Sequence, residues 1–227
     1  MLRRPFDRQQ KLLQDQTLVL GSRIEELLQF SLEAIQQAQP DRSRQLLGEY
    51  QRLKKEESEL EFAVLSVLSR QQPMAGDLRF LVTALKVTLE LGRVADHARE
   101  INQANSHIEQ KHTSEMMQLV FRTGQAAILL LRRAIEAFAR RDATLAEHIA
   151  QQDDQIDQLY RYLTGRLLAT IKLQPALAGQ SIYLSQIAHQ FERIGDRATN
   201  ICEWVLYSVT GEMIETNTKP AERMQVL

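Results

Sequence analysis

Residues 189–204 read HQFERIGDRATNICEW, and the way this stretch alternates decides the fold. At helical spacing Ile187, Phe191, Ile194, Ala198, Ile201 and Val205 fall on one apolar stripe. Ser185, His189, Glu192, Asp196, Asn200 and Glu203 form a second stripe, centred roughly 180° away because each residue turns about 100°. Glu192 and Asp196 therefore stand one turn apart on the side of the helix that does not pack, and Gly195 and Thr199 leave little bulk beside them. A solvated helical face would gain ion pairs by mixing Lys and Glu at i, i+4; like charges at that spacing repel. The stretch is thus a packing helix that carries an acidic pair on its outer side.

Composition extends the helical reading to the whole chain. The 227 residues include only nine Gly and five Pro, with Leu, Gln, Glu, Arg and Ala dominant and aromatic residues at 6%. That mixture favours helices over strands. The chain is long enough to bury a sizeable core. With 28 basic and 29 acidic residues spread evenly, the net charge of −1 leaves no electrostatic footprint for nucleic acid. A lone cysteine, Cys202, rules out an internal disulfide, fits a reducing compartment and reads as a small packing residue. The N-terminal residues lack the apolar core of a signal peptide, and the longest apolar run, Ala126 to Leu131, is far short of the ~20 residues that span a bilayer. The expectation is a soluble, cytoplasmic protein without a membrane span.

Prolines and polar clusters divide the chain into six long helices: Phe6 to Ala38, Arg42 to Arg70, Asp77 to Ser106, Glu115 to Arg140, Ala143 to Lys172 and Gln180 to Val209. Asp41, Asp77 and Asp142 are placed to cap the helices that follow them. Ala34-Ile35 and Asp41 recur as Ala134-Ile135 and Asp142. Gln72-Pro73 recurs as Gln174-Pro175, and Arg93-Val-Ala-Asp96 as Arg193-Ile-Gly-Asp196, all at an offset of ~100 residues. The expected architecture is all-α: two tandem three-helix bundles of long antiparallel helices, over 1–106 and 113–210, with a polar tail at 211–227.

These residues resemble a known family. Pro73-x-x-x-Asp77-Leu78-Arg79, Arg93-Val94-Ala95-Asp96, Phe191-Glu192-Arg193-Ile194-Gly195-Asp196, Asn200-Ile201-Cys202-Glu203 and Tyr207 to Glu212 are similar, in order and over nearly the whole chain, to the PhoU family of bacterial phosphate-transport regulators. The resemblance implies a non-enzymatic cytoplasmic protein that dampens the phosphate-starvation response. It implies as partners the ATPase of a phosphate ABC transporter and a phosphate-sensing histidine kinase, and a homodimeric state. It also implies multinuclear metal at acidic motifs.

The residues themselves test the metal chemistry. Asp153 and Asp157 lie one turn apart beside the inner stripe Ile149, Ile156, Leu163 and Leu167. Counted from Pro175 in an antiparallel hairpin, they come level with Glu192 and Asp196 to within about one turn, ~5 Å. Four converging carboxylates repel, and a cation relieves them. Arg161, Arg193 and Arg197 offer a purely internal alternative. The expected ligands are Asp153, Asp157, Glu192 and Asp196, with Asn200 as a fifth, for Fe, Mn, Mg or Zn; the absence of thiolates disfavours a structural zinc site. His97 and His189 are read first as surface histidines. In the first half Gly92 replaces Glu192, while Tyr50 and Lys54 stand level with Asp96. Glu57 and Glu61 are placed about two turns, ~10 Å, away. Only Asp96 and Glu100 remain there, with Lys54 as an ion-pair partner for Asp96, so the first-half site is expected to be lost.

Two other readings compete. A ferritin-like di-metal enzyme needs Glu-x-x-His on core helices, but the one such motif, Glu109 to His112, falls in a polar linker. A metal-independent scaffold or dimerisation module would carry the acidic stripe as charge alone. No Gly-rich phosphate loop and no nucleophile–base arrangement is present.

Overall fold

The structure, a computed structural model, describes residues 3–37, 39–108 and 114–214. Helices α1 (Arg3–Gln36), α2 (Pro40–Gln71) and α3 (Ala75–Asn105) form one three-helix bundle. Helices α4 (Ser114–Arg140), α5 (Ala143–Ala150), α6 (Asp154–Leu173) and α7 (Ala178–Thr210) form the second, with α5 and α6 together making its middle arm. Among the described residues there is no strand. The chain is all-α, two tandem bundles of long antiparallel helices. The expected linker is described only as far as Ile108, and Glu109, His112 and residues 215–227 lie outside the described residues.

The expected breaks fall where the chain chemistry demands them. Residue Gln72 adopts a left-handed conformation before Pro73, which cannot continue a helix. The Asp142 carboxylate accepts the Leu145 N–H at 2.9 Å and caps α5. Asp41 and Asp77 do not cap. Pro40 already starts α2 without an N–H to satisfy, so Asp41 sits in the first turn, and Asp77 lies in the first turn of α3, accepting from Gln10 Nε2 at 3.3 Å. Both still place negative charge at a helix N-terminus, which the helix dipole favours.

The two bundles join along α3 and α7. Thr83 Oγ1 donates to the Trp204 carbonyl at 3.1 Å, Arg197 pairs with Glu90 at 3.3 Å, His97 Nδ1 meets Gln190 Oε1 at 2.7 Å, and His107 stacks on Tyr183. Numbers rise on one helix as they fall on the other, so the seam is antiparallel over its length. Helix α1 crosses α4 in the same sense, from Gln14 Nε2 on the Ala139 carbonyl to Glu25 with Arg132. The predicted stripe of α7 is the core: Ile187, Phe191, Ile194, Ala198 and Ile201 are fully buried. Cys202 is buried among them, and burial pushes its thiol up to about 12, as a packing residue requires.

The middle arm of the second bundle departs from the expected single helix of residues 143–172. It breaks at residues 151–153, where Gln152 N–H bonds back to the Ile149 carbonyl and a new helix begins at Asp154. The reason lies in Gln151-Gln152-Asp153-Asp154: Asp is a poor interior helix residue but a good first-turn residue. Restarting the helix puts Asp154 and Asp157 in the first turn of α6, where unpaired N–H groups favour negative charge. Helix α2 carries Tyr50 and Lys54 in the corresponding region and runs unbroken.

Close packing generates a paired prediction. A Cβ on Gly124 would stand 2.7 Å from a Leu32 methyl and 2.9 Å from the Phe191 ring, whereas Gly165 faces open space. Gly124→Leu is expected to destabilise by about 1–3 kcal/mol through overpacking, and Gly165→Ala to stabilise by roughly 0.5–1 kcal/mol through helix propensity. Thermal unfolding followed by circular dichroism should show Tm moving in opposite directions.

Candidate metal centre

Asp153 ends the break between α5 and α6, and its side chain turns inward onto α7. It is only 8% exposed, and its Oδ1 has no hydrogen-bond partner among the described residues. A Cβ added at Gly195 would come within 2.5 Å of that oxygen, so Gly195 provides the space into which the carboxylate fits. Asp157 follows one turn later and is held by Arg161 at 3.2 Å. Asp196 is held by Arg193 at 3.0 Å. Glu192 Oε2 makes no hydrogen bond, with the His189 imidazole 3.3 Å away.

The electrostatics show that the four carboxylates share one neighbourhood. Burial pushes the Asp153 carboxyl up to about 7, and the charges of Asp196, Asp157, Glu192 and Asp154 add to the rise. Glu192 is raised by burial and by Asp196, against the pull of His189. Asp196 is raised by burial, although Arg193 and Arg197 work the other way. The four carboxylates are thus near enough to affect one another's ionisation, but the region is less open than an outward helical face implies, because Asp153 is buried. Among the described residues no three His, Cys, Asp or Glu side chains close on a single point as an ion would require. Asp157 and Asp196 are instead turned to their arginines.

Asn200, the fifth expected ligand, leans the other way. Its amide nitrogen donates to Glu90 of α3 at 3.4 Å, and Glu90 is further held by Arg93 and Arg197. His189 lies half exposed at the rim, against Tyr160. His97 belongs to the seam, where burial lowers its pKa despite the Gln190 hydrogen bond.

The first half is built differently. The Tyr50 hydroxyl donates to Asp96 at 2.8 Å, and Lys54 lies 3.6 Å from Asp96, the expected ion pair. Lys54 also reaches Glu57 at 2.7 Å. Glu57 is nearer than the hairpin count placed it: it is buried directly against Gly92, one turn before Asp96, and a Cβ at Gly92 would collide with its carboxylate. The count from Pro73 compared backbone levels, and it places Tyr50 and Lys54 against Asp96 as found; the Glu57 side chain reaches the space at Gly92 and shares the Lys54 ammonium with Asp96. A glycine in the middle of a long helix was the available signal, since it marks a close approach. The Glu90–Arg197–Asn200 cluster had no sequence signal, because it depends on which helices meet.

Matches to known proteins cover the same two halves. The PhoU domain model matches residues 18–104 and 120–205. The chain belongs to the PhoU family. A phosphate-specific transport system accessory protein PhoU homolog of Clostridium acetobutylicum is 25% identical over 218 residues, 96% of this chain and 100% of the relative. The phosphate-specific transport system accessory protein PhoU of Escherichia coli K12 is 28% identical over 91% of this chain and 86% of its own length. Two crystal structures share the fold. The phosphate transport system regulatory protein PhoU from Streptococcus pneumoniae has a TM-score of 0.86 at 26% identity, over 92% of this chain and 99% of its own. PhoU from Pseudomonas aeruginosa has a TM-score of 0.87 at 25% identity, over 91% and 100%. No helix among the described residues is long and apolar enough to cross a membrane.

The buried, unpaired Asp153 has a measurable consequence. Its carboxyl titrates near 3.8 when unfolded and about 7 when folded, so the folded metal-free protein binds the extra proton between those values. Stability is then highest below the lower value and is lost as pH rises through the upper one. Asp153→Asn is expected to stabilise the metal-free protein at pH 8 by on the order of 2 kcal/mol, with little effect at pH 4. Urea unfolding in the presence of a chelator, at both pH values, checks this.

Proposed function

We propose that this chain is a non-enzymatic regulator of phosphate uptake that holds the phosphate-starvation response silent. It acts in the cytoplasm as a homodimer, between the ATPase of a phosphate ABC transporter and a phosphate-sensing histidine kinase. Support comes from likeness over nearly the full length to proteins named as phosphate transport accessory and regulatory proteins.

The second half is the proposed metal-binding half. The observation that carries this is Asp153 Oδ1, buried and unpaired amid three further carboxylates. Burying a charge without a partner costs several kcal/mol as an order of magnitude, and a cation supplies the missing partner. Asp153, Asp157, Glu192 and Asp196 would hold it, as oxygen donors suited to Mg, Mn, Fe or Zn, with Asn200 free to join only by leaving Glu90. Arg161 and Arg193 are carried on exposed side chains and release Asp157 and Asp196 when a cation takes their place. The metal would supply fixed positive charge that sets the shape of the α5–α6 break against α7.

Two outcomes are expected. Deleting the gene leaves phosphate-starvation genes expressed in phosphate-rich medium, and the restored chain silences them; failed complementation at normal expression overturns the regulatory reading. Glu192→Ala with Asp196→Ala lowers Mn2+ affinity by about 100-fold or more in calorimetry, whereas Asp96→Ala changes it little. Equal losses, or an unaltered protein that binds none of Mg, Mn, Fe or Zn, would establish the metal-independent scaffold instead.

A further inference from the structure

The buried residues of the two middle arms correspond at a constant offset. Leu46, Leu53, Leu60 and Val64 of α2 match Ile149, Ile156, Leu163 and Leu167 of α5 and α6. In that register Tyr50 takes the place of Asp153 and Lys54 the place of Asp157; at the offset of 100 that relates Arg93–Asp96 of α3 to Arg193–Asp196 of α7, Gly92 takes the place of Glu192. Glu57 fills the space that Gly92 leaves, and is 7% exposed. The first half thus keeps two carboxylates, Glu57 and Asp96, and sets one ammonium between them, at 2.7 and 3.6 Å. The Tyr50 hydroxyl takes up Asp96 Oδ1.

We infer that the Lys54 ammonium is the resident cation of the first half, closing a carboxylate site that would otherwise take a divalent ion. Its side chain is 29% exposed, less than those of Arg161 and Arg193, which hold the second-half carboxylates from the rim. Burial opposes the Lys54 charge, but the Glu57 hydrogen bond and the charges of Glu57, Asp96 and Tyr50 outweigh it and hold its pKa above the usual lysine range. The ammonium is therefore permanent at any physiological pH. A tethered ion has no dissociation equilibrium, so this half keeps one charge state whatever the cation concentration. Tyr50, raised by burial and by its bond to Asp96, remains a neutral donor.

The test uses the full chain with the second-half site silenced by Glu192→Gln and Asp196→Asn, and Mn2+ alone as probe. Adding Lys54→Asp, which copies the residue at the matching position of the other half, is expected to bring one Mn2+ per chain in equilibrium dialysis. Further addition of Asp96→Asn should remove it. A folded Lys54→Asp protein that gains no Mn2+ overturns the inference. In an otherwise unaltered chain, Lys54→Met is expected to lower Tm by about 3 °C or more, since it leaves Glu57 buried without its cation, and Lys54→Arg to restore it. If Lys54→Asp does not fold, this pair decides: an unchanged Tm in Lys54→Met overturns the inference. The gain in the silenced background stands or falls independently of metal binding in the second half, because that half contributes no site to it.

Discussion

Helices α3 and α7 lie side by side in opposite directions, and the remaining helices are arranged by what those two leave uncovered. Each presents an apolar stripe too wide for one neighbour. Part is buried between them, and the rest recruits α1 and α2 on one side and α4, α5 and α6 on the other. Because the stripes are continuous over many turns, the only unfilled directions are the outer ones. The acidic residues occupy those directions, at the boundary between seam and flank.

That boundary explains why the carboxylates are half-buried rather than solvated. Glu192 and Asp196 project from α7 toward the arm formed by α5 and α6, and Asp153 closes the gap from beneath. In water four such charges would cost little. Under a covering helix they cost much more, and the chain answers with rim arginines and a helix N-terminus, leaving Asp153 Oδ1 and Glu192 Oε2 without a hydrogen-bond partner among the described residues. The first half meets the same constraint with a lysine.

The fold was legible in the sequence because it rests on local signals repeated many times: the period of the apolar stripe, the prolines and the offset between halves. The hairpin count from Pro175 brings the four second-half carboxylates into one region, although among the described residues no three of them close on a single point. What escaped was the geometry of contact. The break at residues 151–153 was missed although Asp153-Asp154, poor in a helix interior, marked it. Glu57 was misplaced because the count compares backbone levels, whereas its side chain reaches the space at Gly92 and shares Lys54 with Asp96. Asn200 was read as a ligand because its stripe is acidic, yet the partner that claims its amide, Glu90, lies in the other half.

The seam pairs Glu90 with Arg197 and His97 with Gln190. Under the repeat offset Glu90 exchanges with Gln190 and His97 with Arg197, so these are one contact made twice with different chemistry. A duplicated molecule with two equal halves would offer every visitor the same surface in two orientations. Here an ion pair at one end and an amide–imidazole contact at the other, joined to a lysine among the carboxylates of one half and rim arginines beside those of the other, give the molecule a front and a back.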